Sequence, residues 1–257
     1  MTVTLGEVGE LRLCSWNLHL GRRLDSAVEM IASCDGLDVV ALQEVSERDG
    51  APDAGRVAEA LGPDFDFHQL AVQQVRGVVQ ANALVWNRRR FGSACAAGFG
   101  LPSMALAGLP AWERRLIGRL REQTRATVYV EGVLDGEAVR VYSVHLDVFG
   151  FAHRVRQLQA VLDHAATAAA AALTVVAGDL NTFGPAALPG WPRLRAAAAG
   201  AGFVDVTGDV RWTHRAGLLR QKLDAVLARS CSPLEHRAWS LATDASDHLP
   251  VFVELRW

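Results

Sequence analysis

Three features of the sequence predict an α/β fold. Short runs rich in Val and Leu recur between turn signals, segments with helical spacing lie between those runs, and no internal repeat or Pro/Ser-rich linker interrupts the alternation. Together they predict one domain over residues 1–257. The runs that read as strands are 11–17, 38–44, 81–86, 125–131, 138–145, 173–178, 222–228 and 249–255. Helical patterning fits 25–34, 54–61, 153–172 and 191–201, most clearly the third, where Val155, Leu158, Val161 and Leu162 share a face. Residues 97–123, with Pro102, Pro110 and "WERRLIGRLREQ", follow neither period and read as a long surface excursion.

Composition narrows the function classes. Half of the 257 residues are hydrophobic and the formal net charge is −2, an ordinary balance for a globular enzyme or binding protein. A pI near 6.4 gives no global attraction to nucleic acid or anionic membrane, although it leaves a local basic patch open. The stretch "MTVTLGEVGELRL" lacks the basic and apolar regions of a signal peptide, and no apolar run reaches membrane-spanning length. A cytoplasmic monomer is therefore expected. Cys14, Cys34, Cys95 and Cys231 are scattered with no C-x-x-C pair, so zinc binding is not expected and the thiols should be reduced.

The polar residues fall in a pattern. "LRLCSWN" ends in Asn17 and "LDVVALQE" in Glu44. "VRVYSVHLD" ends in His145 and Asp147, and "LTVVAGDLN" in Asp179 and Asn181, each pair two apart and so on one side of an extended chain. Two later strands reverse the order: "LDAVLA" starts at Asp224, and "SDHLPVFVEL" starts just after Asp247 and His248. If those two run antiparallel to the others, every one of these groups meets at one edge. That arrangement predicts mixed sheets and a polar cleft.

Carboxylates gathered in one cleft repel one another unless a positive charge sits among them. Oxygen donors without thiolates favour a hard cation such as Mg²⁺ or Mn²⁺. Two histidines remain for proton transfer or anion contact. Hard metal, carboxylates and histidines suit hydrolysis of a phosphate ester.

The ordered set "SWN", "LQE", "VHLD", "GDLN", "LDAVL" and "SDHLP" resembles the endonuclease/exonuclease/phosphatase superfamily, from about Leu11 to the C-terminus. The resemblance implies the deoxyribonuclease I-like fold, a four-layer α/β/β/α sandwich with two mixed β-sheets. It implies Glu44 as main metal ligand, with Asn17 beside it and Asp247 as ligand or close to the metal. Asp179 would orient or activate water, and Asn181 would hold the phosphate or the nucleophile. His248 would be the essential histidine, oriented by Asp224. His145 would contact the phosphoryl oxygens, and Arg125 matches a position where many members carry an arginine, here taken as substrate-binding. Asp147 follows the "HLD" form of many bacterial members without an assigned role. The strand "ANALVWN" lacks the Gly-rich form of abasic-site endonucleases, and their DNA-penetrating loops have no clear counterpart.

Other polar residues carry a plainer expectation. His19 and His68 read as surface or structural histidines, Arg88–Arg90 as a solvated turn, and Thr213 and His214 as a loop. Trp16 and Trp86 read as core residues. The cluster Arg114, Arg115, Arg119, Arg121 and Arg125, interleaved with Trp112, Glu113 and Glu122, fits equally a cleft-flanking patch or an amphipathic surface helix. The function expected is divalent-metal-dependent hydrolysis of a phosphate ester, foremost a phosphodiesterase acting on nucleic acid, a small molecule or a lipid headgroup. The alternative is a non-catalytic binding module with the same fold. A calcineurin-like phosphatase is set aside because "GNH" and "GHxH" are absent.

Overall fold

The computed structural model describes residues 9–48, 50–75, 77–103, 111, 114–115, 123–182 and 190–257. In chain order the strands and helices begin with β1 (Glu10–Asn17), α1 (Leu24–Ala32), β2 (Val39–Val45), the short pair β3 (Glu47–Arg48) and β4 (Ala51–Pro52), and α2 (Asp53–Leu61). There follow β5 (Phe65–Val75), β6 (Val78–Asn87), β7 (Gly92–Gly100), β8 (Ala126–Leu134), β9 (Glu137–His145) and α3 (Phe151–Thr167). Then come β10 (Leu173–Asp179), α4 (Gly190–Gly200), β11 (Val204–Asp205), β12 (His214–Ala216) and β13 (Leu219–Gln221). The chain closes with β14 (Asp224–Ser230), β15 (Glu235–Ser240) and β16 (Val251–Arg256).

Two six-stranded sheets carry the fold, in the orders β15-β16-β1-β2-β6-β5 and β11-β14-β10-β9-β8-β7. Each is mixed. β1 and β2 are parallel, as are β9 and β10, while β16 runs antiparallel to β1 and β14 antiparallel to β10. This is the reversal that the polar strand ends require.

Strand alternation sorts the apolar residues into three cores, which makes four layers. Leu11 and Leu13 of β1, Val39 and Ala41 of β2, Val139 and Val141 of β9, and Val175 and Ala177 of β10 share the core between the sheets. Trp16, Val40 and Leu42 face the other way and pack with Ala27 and Ile31 of α1 and Val57 of α2. Tyr142, Val144 and Val176 pack outward with Leu158, Val161 and Leu162 of α3 and Leu194 of α4. Trp16 is thus core, as expected, and so is Trp86.

The inward face of the central strands changes character along its length. At one end it is apolar. Two residues further along each strand come Ser15, Gln43 and Ser143, and then Asn17, His145 and Asp179, all buried. Gln43 Nε2 donates to Ser143 Oγ (3.1 Å) and Ser143 Oγ to the Leu42 carbonyl (3.0 Å), so the sheets are tied together beneath the polar end. The cleft is the open end of the central core.

Several expectations need correction. β5, β7 and β15 are strands that the sequence pattern does not announce. All three are sheet edges, where one side of the strand lacks a partner and charged or small residues replace the apolar run. The helix expected to reach residue 172 stops at Thr167, because the alanine run behind it turns back onto the sheet. Ala172 N bonds the Ala138 carbonyl (2.8 Å), and Arg140 Nη2 bonds the Ala169 carbonyl (3.1 Å). Arg90 is no solvated turn residue: it bridges Asp38 (2.9 Å) and Asp135 (2.6 Å). Residues 97–100 belong to β7 rather than to an irregular excursion. Of the arginine cluster, Arg119 and Arg121, with Trp112, Glu113 and Glu122, lie outside the described residues. Among the described residues no helix is long and apolar enough to cross a membrane.

Candidate active site

β10 and β9 bring two site residues side by side, with Asp179 paired to His145 in the ladder and Asp224 of β14 on the other flank of Asp179. Gly178 makes this approach feasible. Its φ is +148°, and a Cβ there would lie 1.9 Å from the Val144 carbonyl oxygen. Asn181 follows with φ +51°, a left-handed turn that asparagine tolerates, and its Nδ2 donates to the Leu146 carbonyl (2.8 Å).

Glu44 reaches the cleft by a different device. Alternation along β2 puts Ala41 and Gln43 inward and would put Glu44 among the helices. Instead the β2–β6 ladder shifts register between Leu42 and Val45, and Glu44 takes φ +50°. A bulge of this kind re-aims a side chain. It brings Glu44 Oε1 to 3.8 Å from His145 Nε2, on the opposite sheet.

The centre of the cleft is a linked set of buried groups. Asn17 Nδ2 donates to Asp179 Oδ2 (3.0 Å), and the Asn181 backbone N–H donates to Asp179 Oδ1 (2.9 Å). His248 Nδ1, just ahead of β16, bonds Asp224 Oδ2 of β14 on the other sheet at 2.8 Å, the contact that the motif resemblance implies. The other ring nitrogen, Nε2, lies 3.8 Å from Asp179 Oδ2. Burial alone would keep His248 neutral, but Asp224, by charge and hydrogen bond, and then Asp179 and Asp247, raise its pKa to about 10. Burial, followed by the charge of Asp224, pushes Asp179 up to about 7.

His145 is tuned the opposite way. Burial, then the charges of Arg125 and His248, hold its pKa well below the usual imidazole value. Arg125 Nη1 is 3.2 Å from His145 Nδ1. An arginine can only donate, so Nδ1 accepts and the proton sits on Nε2, facing Asp179 Oδ2 at 3.6 Å. Arg125, expected at the substrate, is buried with its nitrogens on protein groups. Nε bonds Asp147 Oδ1 (3.1 Å) and Nη2 bonds Gln123 Oε1 (2.7 Å). Asp147 is held in turn by Gln157 Nε2 (3.0 Å) from α3, and His153 Nε2 lies 3.0 Å from it.

Asp247 stands at the rim, about a third exposed. Its Oδ2 is 3.0 Å from His19 Nδ1 and 3.9 Å from His214 Nε2. His214 also bridges to His248 as an isolated ladder pair, with ring centroids 4.6 Å apart. Both rim histidines carried only a plain reading in the sequence. His19 had a usable signal, two residues past Asn17 at a strand exit. His214 had none, because its place depends on a three-residue strand.

Hard-cation binding fits this donor set. Among the described residues the Glu44 carboxylate accepts no hydrogen bond, although its backbone is held in a left-handed conformation that aims it at the cleft. Asp179, Asp224 and His248 offer ligand atoms within 4.8 Å of one another, as do His214, Asp247 and His248; Glu44 belongs to neither group and lies 3.8 Å from His145 Nε2.

The sequence matches the model of the Endonuclease/Exonuclease/phosphatase family over residues 14–248. The chain belongs to that family. Its members hydrolyse phosphate esters with a divalent metal, and this chain is such a phosphoesterase. The non-catalytic alternative falls away. Comparison of folds agrees. An endonuclease/exonuclease/phosphatase from Bacteroides vulgatus is 16% identical, with 96% of this chain and 98% of that one covered and a TM-score of 0.71. A mannosyl-6-phosphatase from Bacteroides thetaiotaomicron is 16% identical over 95% of this chain and 99% of its own, at a TM-score of 0.65. TDP2 from D. rerio, complexed with a single-strand DNA product, is 17% identical over 96% and 98%, at 0.63. No curated protein matches the sequence.

Proposed function

We propose that this phosphoesterase cleaves phosphodiesters. The observation that carries the reading is the charge of the buried centre. Arg125 is committed to Asp147, Gln123 and His145, and burial holds His145 toward its neutral form, so among the described residues His248 is the cationic side chain at the centre that keeps a ring nitrogen, Nε2, free of a hydrogen bond. One imidazolium suits the single charge of a diester better than the dianion of a monoester.

In this reading Asp179 takes the proton of the attacking water on Oδ2. Its raised pKa gives it useful basicity near neutral pH, and Asn17 and the Asn181 N–H fix its plane. Asn181 also holds the phosphate or the nucleophile. His248, oriented by Asp224, presents a charged Nε2–H to a phosphoryl oxygen, and His145 presents a neutral Nε2–H to another. Glu44, Asn17 and Asp247 would hold a Mg²⁺ or Mn²⁺ ion, which neutralises charge on the phosphoryl oxygens when bound. Arg125 acts through His145, and Asp147 anchors Arg125.

The fold neighbours include a mannosyl-6-phosphatase and a protein seen with a single-strand DNA product, so fold leaves the substrate open. A screen of phosphomonoesters, phosphodiesters, single-stranded DNA and RNA, each with Mg²⁺, Mn²⁺ and a chelator control, tests the reading. Diesters should turn over fastest. Exclusive action on monoesters would refute it.

A further inference from the structure

Beside the buried centre lies an open cleft of about 520 Å³, with His19, Arg22, Arg23, Arg215, Asp244 and Asp247 among its lining. It shares His19 and Asp247 with the rim of the site, so the two spaces adjoin. Its charges are not balanced. Arg23 is spent on Asp244, with Nη1 2.7 Å from Oδ2 and 2.8 Å from the backbone carbonyl. Asp247 faces the proposed metal side of the rim, with its Oδ2 3.0 Å from His19 Nδ1. Arg22 and Arg215 are exposed, and among the described residues neither has a carboxylate partner. Two unneutralised guanidinium groups therefore flank the phosphate site of a chain whose formal net charge is −2.

The walls that carry them are fixed. The loop before α1 is clamped by Arg48 Nη2, which donates to the carbonyls of Leu20 (2.6 Å) and Gly21 (2.8 Å). On the other side the Arg215 backbone N–H donates to the Asp247 carbonyl (2.9 Å), and the adjacent His214 pairs with His248. Both arginines thus hang from backbone registered to the site. Guanidinium forks match phosphate oxygens, often with two parallel hydrogen bonds.

We propose that this cleft is a subsite for a second phosphate, so that the preferred substrate is a phosphodiester carrying a further phosphate, such as a short single-stranded oligonucleotide with a phosphorylated end. The assignment rests on the reading of the buried centre as a phosphodiester site. It also separates the two anions by chemistry: the scissile phosphate meets His248, and the second phosphate meets Arg22 and Arg215. Asp244 and Asp247 in the same lining disfavour a uniform polyanion, so a short strand is selected.

The test uses thymidylyl-thymidine without a terminal phosphate, with a 5′-phosphate and with a 3′-phosphate. Binding is measured by calorimetry in chelator, where nothing is cleaved, for the wild-type chain and for the Arg22→Gln/Arg215→Gln double variant. One phosphorylated form should bind on the order of ten-fold more tightly than the plain dinucleotide, and the double variant should bring that ratio to about one. Equal affinities in the wild type, or a ratio unchanged in the double variant, would overturn the subsite. Turnover of the same compounds with Mg²⁺ or Mn²⁺ is then read separately. An arginine-dependent preference in binding with no diester cleavage would sink the phosphodiesterase reading and leave the subsite standing.

Discussion

Replacing Asp147 by asparagine should cost stability and turnover together. The carboxylate is the counter-ion of Arg125, and the two side chains are only 6% and 3% exposed. Removing the charge leaves a buried guanidinium without its partner, a loss of about 3–5 kcal/mol. The exposed pair Arg23–Asp244, at 58% and 82%, sets the contrast, since such pairs contribute about 0–1 kcal/mol. With a urea slope of about 3 kcal/mol per M, Asp147→Asn should lower the unfolding midpoint by about 1–2 M, and Asp244→Asn by no more than about 0.3 M. Turnover should fall through kcat, because Arg125 no longer braces His145 Nδ1. A double variant, Arg125→Met with Asp147→Leu, removes both buried charges and should recover much of the stability but none of the turnover. Urea melts followed by circular dichroism, with initial rates on the same preparations, decide the matter. A midpoint shift no larger than that of Asp244→Asn would show that the buried pair does not hold the fold together, and turnover restored by the double variant would show that Arg125 does not brace His145.

Three further outcomes follow from other parts of the molecule. Gly178→Ala forces a Cβ into the Val144 carbonyl oxygen between β9 and β10, so it should destabilise by about 3 kcal/mol or more and abolish activity; a melt within about 1 kcal/mol of wild type would contradict the close approach. Burial works against ionised Asp205, but hydrogen bonding from Thr207 and the charge of Lys222, with Arg195, outweigh it and hold its pKa below the usual carboxylate range. A depressed folded pKa gives stability that is present above the unfolded value, about 3.9, and is lost as pH falls through the folded one. Asp205→Asn should therefore be less stable than wild type at pH about 7, with the gap closing below about pH 4; a gap that widens on acidification would be the wrong sign. Duplex DNA should bind weakly near 0.15 M salt, because Arg23 is neutralised and the chain is net acidic. Submicromolar affinity with a steep salt slope in a filter or anisotropy titration would show a basic surface large enough for duplexes.

The fold was legible where burial on both faces writes itself into the sequence. β1, β2, β9, β10 and β14 read as apolar runs because each is sandwiched between a core and a helix layer. β5, β7 and β15 did not, since an edge strand needs neither continuous apolarity nor strict alternation. In the site, Asn17, His145 and Asp179 were legible by the same alternation, as the polar ends of inward faces. Glu44 was legible as a residue but not as a geometry: its direction comes from a bulge and a positive φ that no period encodes. The pairing of Asp224 with His248 was legible through the ordered motifs and not through strand direction, since β14 and β16 lie in different sheets. The commitment of Arg125 to Asp147, and the arrival of His214 beside His248, come from contacts between distant segments. Local pattern holds no record of them.

In the proposed mechanism a hard cation held by Glu44 works with the buried His248–Asp224 pair to hydrolyse a phosphodiester. Initial rates on a diester substrate, for wild type and Glu44→Gln, with Mg²⁺ or Mn²⁺ and with excess chelator, test it most directly. Loss of a direct ligand removes charge stabilisation worth several kcal/mol, so Glu44→Gln should turn over at least about 100-fold more slowly, and chelated wild type should be silent. Full wild-type turnover in chelator, or a Glu44→Gln variant as fast as wild type, would rule out a catalytic cation at Glu44.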